Sequence, residues 1–209
     1  MKIINWFKSK IEYLNSVESI CKKYGIENYT INEDGTVDVD GGVDLSEKGL
    51  TKLPLKFGKV TGYFDCSNNQ LKTLKGGPNY VGDAYFCSNN QLKTLEGSPN
   101  WVGKYFRCSN NQLKTLKGGP NYVGDAYFCS NNQLITLEGG PETVLGNYYC
   151  NDNQLKTLNG CPDYVGGYFI CDYMDNEYVT IHEVYCLFDH KSFIKQYKRE
   201  QKLKELLEN

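Results

Sequence analysis

Tyr85-Phe86-Cys87-Ser88-Asn89-Asn90-Gln91-Leu92-Lys93-Thr94-Leu95 is the stretch on which the reading of this chain turns. An aromatic stands two residues before a cysteine, an asparagine three after it, and leucines five and eight after it. The pattern returns every 21 residues, with its cysteines at Cys66, Cys87, Cys108, Cys129, Cys150 and Cys171. The aromatic column runs Phe64, Tyr85, Phe106, Tyr127, Tyr148, Phe169. Six residues before each cysteine stands Val60, Val81, Val102, Val123, Val144 or Val165. Asn69, Asn90, Asn111, Asn132 and Asn153 form a third column, and leucine pairs from Leu71/Leu74 to Leu155/Leu158 a fourth. Pro78, Pro99, Pro120, Pro141 and Pro162 close each unit, and Leu45, Leu50 and Leu53 extend the pattern one step upstream. Residues 66–86 and 108–128 are identical, as expected of a duplicated two-repeat unit. Self-similarity at this period specifies a repeat solenoid.

Side chains alternate across an extended strand, so the residue between the aromatic and the cysteine points away from both. Valine, aromatic, cysteine and the two leucines are therefore expected inside every turn. The asparagine suits a tight bend, where its amide bonds backbone groups that would otherwise be buried and unpaired. Stacked turns make these asparagines a ladder. Each inward apolar group contributes roughly 1.5–3 kcal/mol on burial, but no turn buries its own face, and stability comes from stacking neighbours.

The string Phe64-x-Cys66-x-x-Asn69-x-Leu71-x-x-Leu74 resembles the leucine-rich repeat, with aromatic and Cys where that family has Leu or Val. Its 21-residue unit is similar to the short bacterial type, and the "CSNNQL" repeats behind an N-terminal "NYTIN" segment resemble proteins of bacteriophage and prophage genomes. The resemblance implies a leucine-rich-repeat solenoid over residues 42–172, of about six to seven rungs. It implies a parallel β-sheet with an irregular or short-helical back, whose concave face binds other macromolecules.

Terminal turns of a solenoid need covering. Residues 1–41 supply an N-terminal cap. Ile3, Phe7, Ile11, Leu14, Val17 and Cys21 follow helical spacing as an inward stripe, and Gly25 stands where the helix stops. Tyr29–Ile31 and Thr36–Val39 around Asp34-Gly35 read as a hairpin. Residues 173–209 read as a helical cap: a buried helix over 177–188, then a last helix beginning at Asp189 and carrying Phe193, Ile194, Tyr197, Leu203, Leu206 and Leu207. Its lysines are interrupted by Glu200, Glu205 and Glu208, a solvated face.

The 209 residues carry a net charge of −2, with 40% hydrophobic and 23% charged residues, as expected for a folded soluble domain. No apolar run suffices to cross a bilayer, and the first 24 residues lack the pattern of a secretory signal, so no membrane association is expected. The near-neutral charge argues against nucleic acid. Nine cysteines without a secretion signal, six of them on an inward column, read as packed, reduced thiols of a cytoplasmic protein in a bacterial host cell. No paired Cys-x-x-Cys or Cys/His cluster suggests zinc, and no nucleophile or phosphate-loop motif is present, so neither enzyme activity nor a cofactor is expected. The row Lys72, Lys93, Lys114, Lys156 reads as a solvated edge, and the alternating column Lys75, Glu96, Lys117, Glu138 lets neighbouring turns pair charges. The single threonine row, Thr73 to Thr157, lacks the flat paired array of an ice-binding surface.

The outward strand positions are the ones stacking leaves undetermined. One residue before each cysteine stand Asp65, Phe86, Arg107, Phe128, Tyr149 and Ile170; three before stand Tyr63, Ala84, Tyr105, Ala126, Asn147 and Tyr168. Aromatics and Arg dominate, the composition of protein-binding hot spots. Five steps of about 4.8 Å make a strip roughly 24 Å long. Tyr63, Asp65, Phe86, Tyr105, Arg107, Phe128, Tyr149, Tyr168 and Ile170 are thus the candidate partner-binding residues of a non-enzymatic interaction module. The phage-like resemblance implies a bacterial host protein, such as a defence component being inhibited, as the partner. A glycan-binding surface and a homo-oligomeric scaffold are the alternatives.

Overall fold

A two-residue extended segment followed by a glycine corner cannot build a helix, and Pro78 with Gly76, Gly77 and Gly82 interrupts every stretch long enough to try. The computed structural model, which describes residues 2–173 and 182–183, is accordingly a parallel β-solenoid with a single α-helix among the described residues. Each turn contributes two short strands. The first ends on the valine column, as in Tyr80–Val81, Trp101–Val102 and Tyr122–Val123; with the two strands of the N-terminal hairpin these form an eight-stranded sheet, the valine sheet. The second precedes the cysteine, as in Tyr85–Phe86, Phe106–Arg107 and Tyr127–Phe128, and builds a seven-stranded cysteine sheet. All solenoid pairings are parallel and shift by one 21-residue repeat, for example Tyr85↔Phe106 and Tyr122↔Thr143. The expectation of one sheet with an irregular or short-helical back therefore gains a second parallel sheet. After the cysteine the chain turns at the asparagines, runs irregularly past the two leucines, and returns through Gly-x-Pro.

The columns are buried as expected. Val81, Tyr85, Cys87, Leu92 and Leu95 and their counterparts two turns on make one continuous core. Inside it Phe64, Tyr85, Phe106, Tyr127, Tyr148 and Phe169 stack ring on ring, with centroids 5.1–5.5 Å apart. Ring size is balanced within each turn. Tyr85, Tyr127 and Tyr148 share turns with Gly77, Gly119 and Gly140, whereas the smaller Phe106 and Phe169 share theirs with Ser98 and Cys161. A Cβ at Gly77 would lie 3.4 Å from Tyr85 Oη, and one at Gly140 3.5 Å from Tyr148 Oη, so the hydroxyl occupies the side-chain space glycine vacates.

The asparagine ladder is complete in its hydrogen bonds. Asn111 Nδ2 donates to the carbonyls of Cys87 (3.0 Å) in the turn before and Cys108 (3.1 Å) in its own, while its Oδ1 accepts from Leu92 N at 3.0 Å. Asn69, Asn90, Asn132 and Asn153 repeat this. The residue before each of them is left-handed: Asn68, Asn89, Asn110, Asn131 and Asp152 have φ of 54–56°, a conformation that Asn and Asp adopt at low cost. The corner between the two sheets requires a close approach. A Cβ at Gly103 would run into the carbonyl oxygen of Gly82 one turn earlier.

The N-terminal cap is as expected in outline: helix α1 (Lys2–Tyr24), then strands β1 (Tyr29–Ile31) and β2 (Val37–Val39) as an antiparallel pair. Strand β2 pairs in parallel with Phe57–Val60 and so joins the hairpin to the valine sheet. Val17 and Cys21 are buried against the core, but Ile11 is 56% exposed, a correction to the inward stripe at that position; the side chains of Ile3 and Phe7 lie outside the described residues. At the other end, Asp172–Tyr173 pairs antiparallel with His182–Glu183. Those two residues are extended where a helix over 177–188 was expected. The rest of that segment and the last helix lie outside the described residues.

Candidate functional site

The register fixes which side chains face outward. Tyr127 is inside, so Phe128 is outside, and Cys129 is inside again. Of the expected strip, Arg107 is exposed and Asp65, Phe86, Phe128, Tyr149 and Ile170 are half-buried. In the neighbouring column Tyr63, Tyr105 and Tyr168 are among the most exposed large side chains, at 36–53%. Ala84 and Ala126 are a correction: both are 4% exposed rather than outward-facing contacts. The column alternates large and small, Gly42, Tyr63, Ala84, Tyr105, Ala126, and a Cβ at Gly42 would collide with the Tyr63 ring. The small residues make room for the tyrosines.

The strip is ordered by its own contacts. The Arg107 guanidinium carbon lies 4.3 Å from the Phe128 ring centroid and 5.9 Å from those of Phe86 and Tyr105. Phe128 stacks on Tyr149 at 4.7 Å with planes 6° apart. Asn147 Nδ2 donates to Tyr149 Oη at 3.0 Å. At the N-terminal end Asp65 Oδ1 accepts from Ser67 N (2.8 Å) and Ser67 Oγ (2.6 Å), and Asp44 holds Ser46 in the same way. The Ser46 hydroxyl and amide hold the Asp44 carboxyl below its ordinary value.

A second outward ladder, on the valine sheet, was not singled out from the sequence. Tyr80, Trp101 and Tyr122 stack with centroids 4.8 and 5.6 Å apart and planes within 5°, and Lys59 Nζ lies 5.1 Å from the Tyr80 centroid. Thr143 interrupts this column and Tyr164 follows. The signal was present as the column one residue before each valine.

The cysteine column faces the core. Cys66, Cys87, Cys108 and Cys129 are buried, and desolvation pushes their thiols up, to about 12 for Cys66 and Cys129. A thiol that stays protonated is a poor nucleophile and a poor metal ligand. Cys108, Cys129 and Cys150 use theirs as weak donors to the carbonyls of Phe128, Tyr149 and Ile170, each at 3.4 Å. Burial likewise raises the phenols of Tyr85, Tyr127 and Tyr148. Among the described residues no group of three or more His, Cys, Asp or Glu is placed to hold a metal, and no helix is long and apolar enough to cross a membrane.

One charge reading changes. Lys104–Asp83, at 3.1 Å and largely exposed, pairs charges between neighbouring turns, whereas among the described residues the column Lys75, Glu96, Lys117, Glu138 forms no such pair. The threonine row is structural, since Thr73, Thr115, Thr136 and Thr157 accept backbone N–H bonds from two residues on. A cleft of about 790 Å³ between α1 and the first turns is lined by Tyr13, Val17, Ile20, Leu55, Phe57 and Lys75.

No protein-family model, curated protein or solved structure matches the chain.

Proposed function

We propose that this protein is a non-enzymatic interaction module that holds a partner protein against the outer face of the cysteine sheet. One observation carries the reading: Phe86, Arg107, Phe128 and Tyr149 stand in register on four successive turns, joined by cation–π and stacking contacts, and remain accessible. A rigid row of aromatics around an arginine loses little side-chain entropy on binding and matches the make-up of protein hot spots. The stacked rings of Phe128 and Tyr149 turn their faces to each other and their edges to solvent. A sugar needs an open ring face, so the glycan reading is the weaker one.

The leucine pairs, asparagine ladder and 21-residue period support placing the chain with leucine-rich repeat proteins of the short bacterial type. With that placement goes a setting in the cytoplasm of a bacterial host, where a phage or prophage protein inhibits a host defence component. The test is affinity capture from bacterial lysate with wild type and with Phe86, Arg107 and Phe128 all replaced by Ser. A protein retained by the first and lost by the second, with equal thermal melting of both, supports the reading. Equal retention by both overturns it.

A further inference from the structure

Arg107 is the one cation of the strip, and its setting is unusual. The guanidinium lies against Phe128 with Phe86 and Tyr105 on its other sides, so its position is fixed by rings rather than by an acid. The nearby ion pair is made by Lys104 with Asp83 and leaves Arg107 out. No hydrogen bond to another described residue occupies its N–H groups, and the residue is exposed. An arginine held flat keeps its planar fork of donors oriented and loses less freedom when a carboxylate arrives.

We infer that the partner presents an extended segment carrying one carboxylate, Asp or Glu, which pairs with Arg107, with apolar or aromatic side chains within three residues of it that cover Phe86 and the Phe128–Tyr149 pair. This rests on the binding function proposed above and names the chemistry of the partner. One guanidinium matches one carboxylate in a bidentate pair, whereas a phosphate dianion is held by clusters of cations. The strip offers no second cation: its other charge is Asp65, two turns away, whose carboxylate is bound by Ser67. The acid of the partner is therefore placed at Arg107, and the remaining strip is apolar.

The experiment pans a displayed library of random 12-residue peptides on the immobilised full-length protein, in parallel with R107E and with the F86S/F128S double variant. Wild type is expected to enrich peptides with Asp or Glu next to apolar residues. R107E is expected to enrich Lys or Arg at the corresponding place. A synthetic peptide from the wild-type pool should bind R107Q roughly tenfold or more weakly. An enriched consensus without an acid, or an acidic bias that survives R107E, overturns the inference while leaving the binding surface standing. If nothing enriches, or if the peptides bind F86S/F128S as well as wild type, the binding surface itself is refuted and the inference with it. Because Arg107 is exposed, R107E should melt with wild type by circular dichroism.

Discussion

Tyr127 and Phe128 are consecutive in the chain and belong to different parts of the molecule. Tyr127 is fully buried in a stack of six rings. Phe128 sits on the surface in a short row with Arg107 and Tyr149. The inner column holds only Phe or Tyr, and from Tyr85 onward each choice is matched by the residue at Gly77, Ser98, Gly119, Gly140 or Cys161. The outer column reads Asp, Phe, Arg, Phe, Tyr, Ile, with no rule that packing supplies. Stacking 21-residue turns fixes the first and leaves the second free, and that freedom is what a binding surface needs.

The sharpest way to break this comparison is to truncate one ring on each side. Phe106→Ala removes a ring stacked on both Tyr85 and Tyr127 and should cost about 3–5 kcal/mol, as large-to-small core changes do. Phe128→Ala should cost about 1–2 kcal/mol, the worth of its stacking on Tyr149 and its contact with Arg107 at a half-buried position. Urea unfolding measures both. Equal losses would mean that the outer row belongs to the core.

The protonation of the interior gives a second contrast. Thiols held to about 12 in the folded protein ionise near 9.0 once the chain unfolds, so unfolding releases protons at high pH. Stability is then full below about pH 9 and falls as pH rises toward 12, by roughly 1 kcal/mol at pH 10 for each of Cys66 and Cys129. Cys87 and Cys108, raised by the same desolvation, act in the same direction. Replacing Cys66 and Cys129 by Val should flatten the alkaline slope measured by urea unfolding between pH 8 and 10. An unchanged slope would show that these thiols are not what titrates.

Much of this organisation was legible in the sequence, and the reason is the repeat itself. A column recurring six times says which residue faces inward with a certainty no single strand offers. Valine, aromatic, cysteine and leucine positions could all be assigned from it, as could the backbone-binding asparagines. The second sheet was harder to see, because a strand of two residues such as Tyr80–Val81 has no periodicity of its own. Its outward Tyr80–Trp101–Tyr122 ladder went unread with it. Ala84 and Ala126 were misplaced because strand alternation gives direction, not what a neighbouring ring covers. Ile11 fits the helical stripe, yet it is exposed, because helical spacing defines a face and not how far the core extends along it.

The asparagines separate two adjacent positions in a similar way. Asn111 binds backbone groups of two turns, and Asn111→Ala leaves the carbonyl of Cys87 and the amide of Leu92 without it, at a cost of roughly 1–3 kcal/mol. Asn110, at φ 55°, is there for its backbone conformation, so Asn110→Gly should be nearly neutral. Thermal melting of the two variants distinguishes the roles. Equal destabilisation would mean that the Asn110 side chain matters beyond its conformation.

The valine-sheet ladder supplies the finest test, because it too faces outward and yet is uniform enough to be a stiffener. Tyr122 stacks on Trp101 on one side, and on the other its column continues at Thr143, where no ring stands. A tryptophan at 143 would take the register position that Trp101 takes two turns earlier and continue the stack. Thr143→Trp should therefore stabilise the fold by about 0.5–1.5 kcal/mol, the worth of an aromatic pair, against Thr143→Val as the control for strand propensity. Peptides selected on the cysteine sheet should bind this variant unchanged. If Thr143→Trp instead weakens them, the two outward ladders serve one binding surface and the division drawn between stiffener and recognition strip is wrong; if it destabilises the protein, the space beside Tyr122 is already filled.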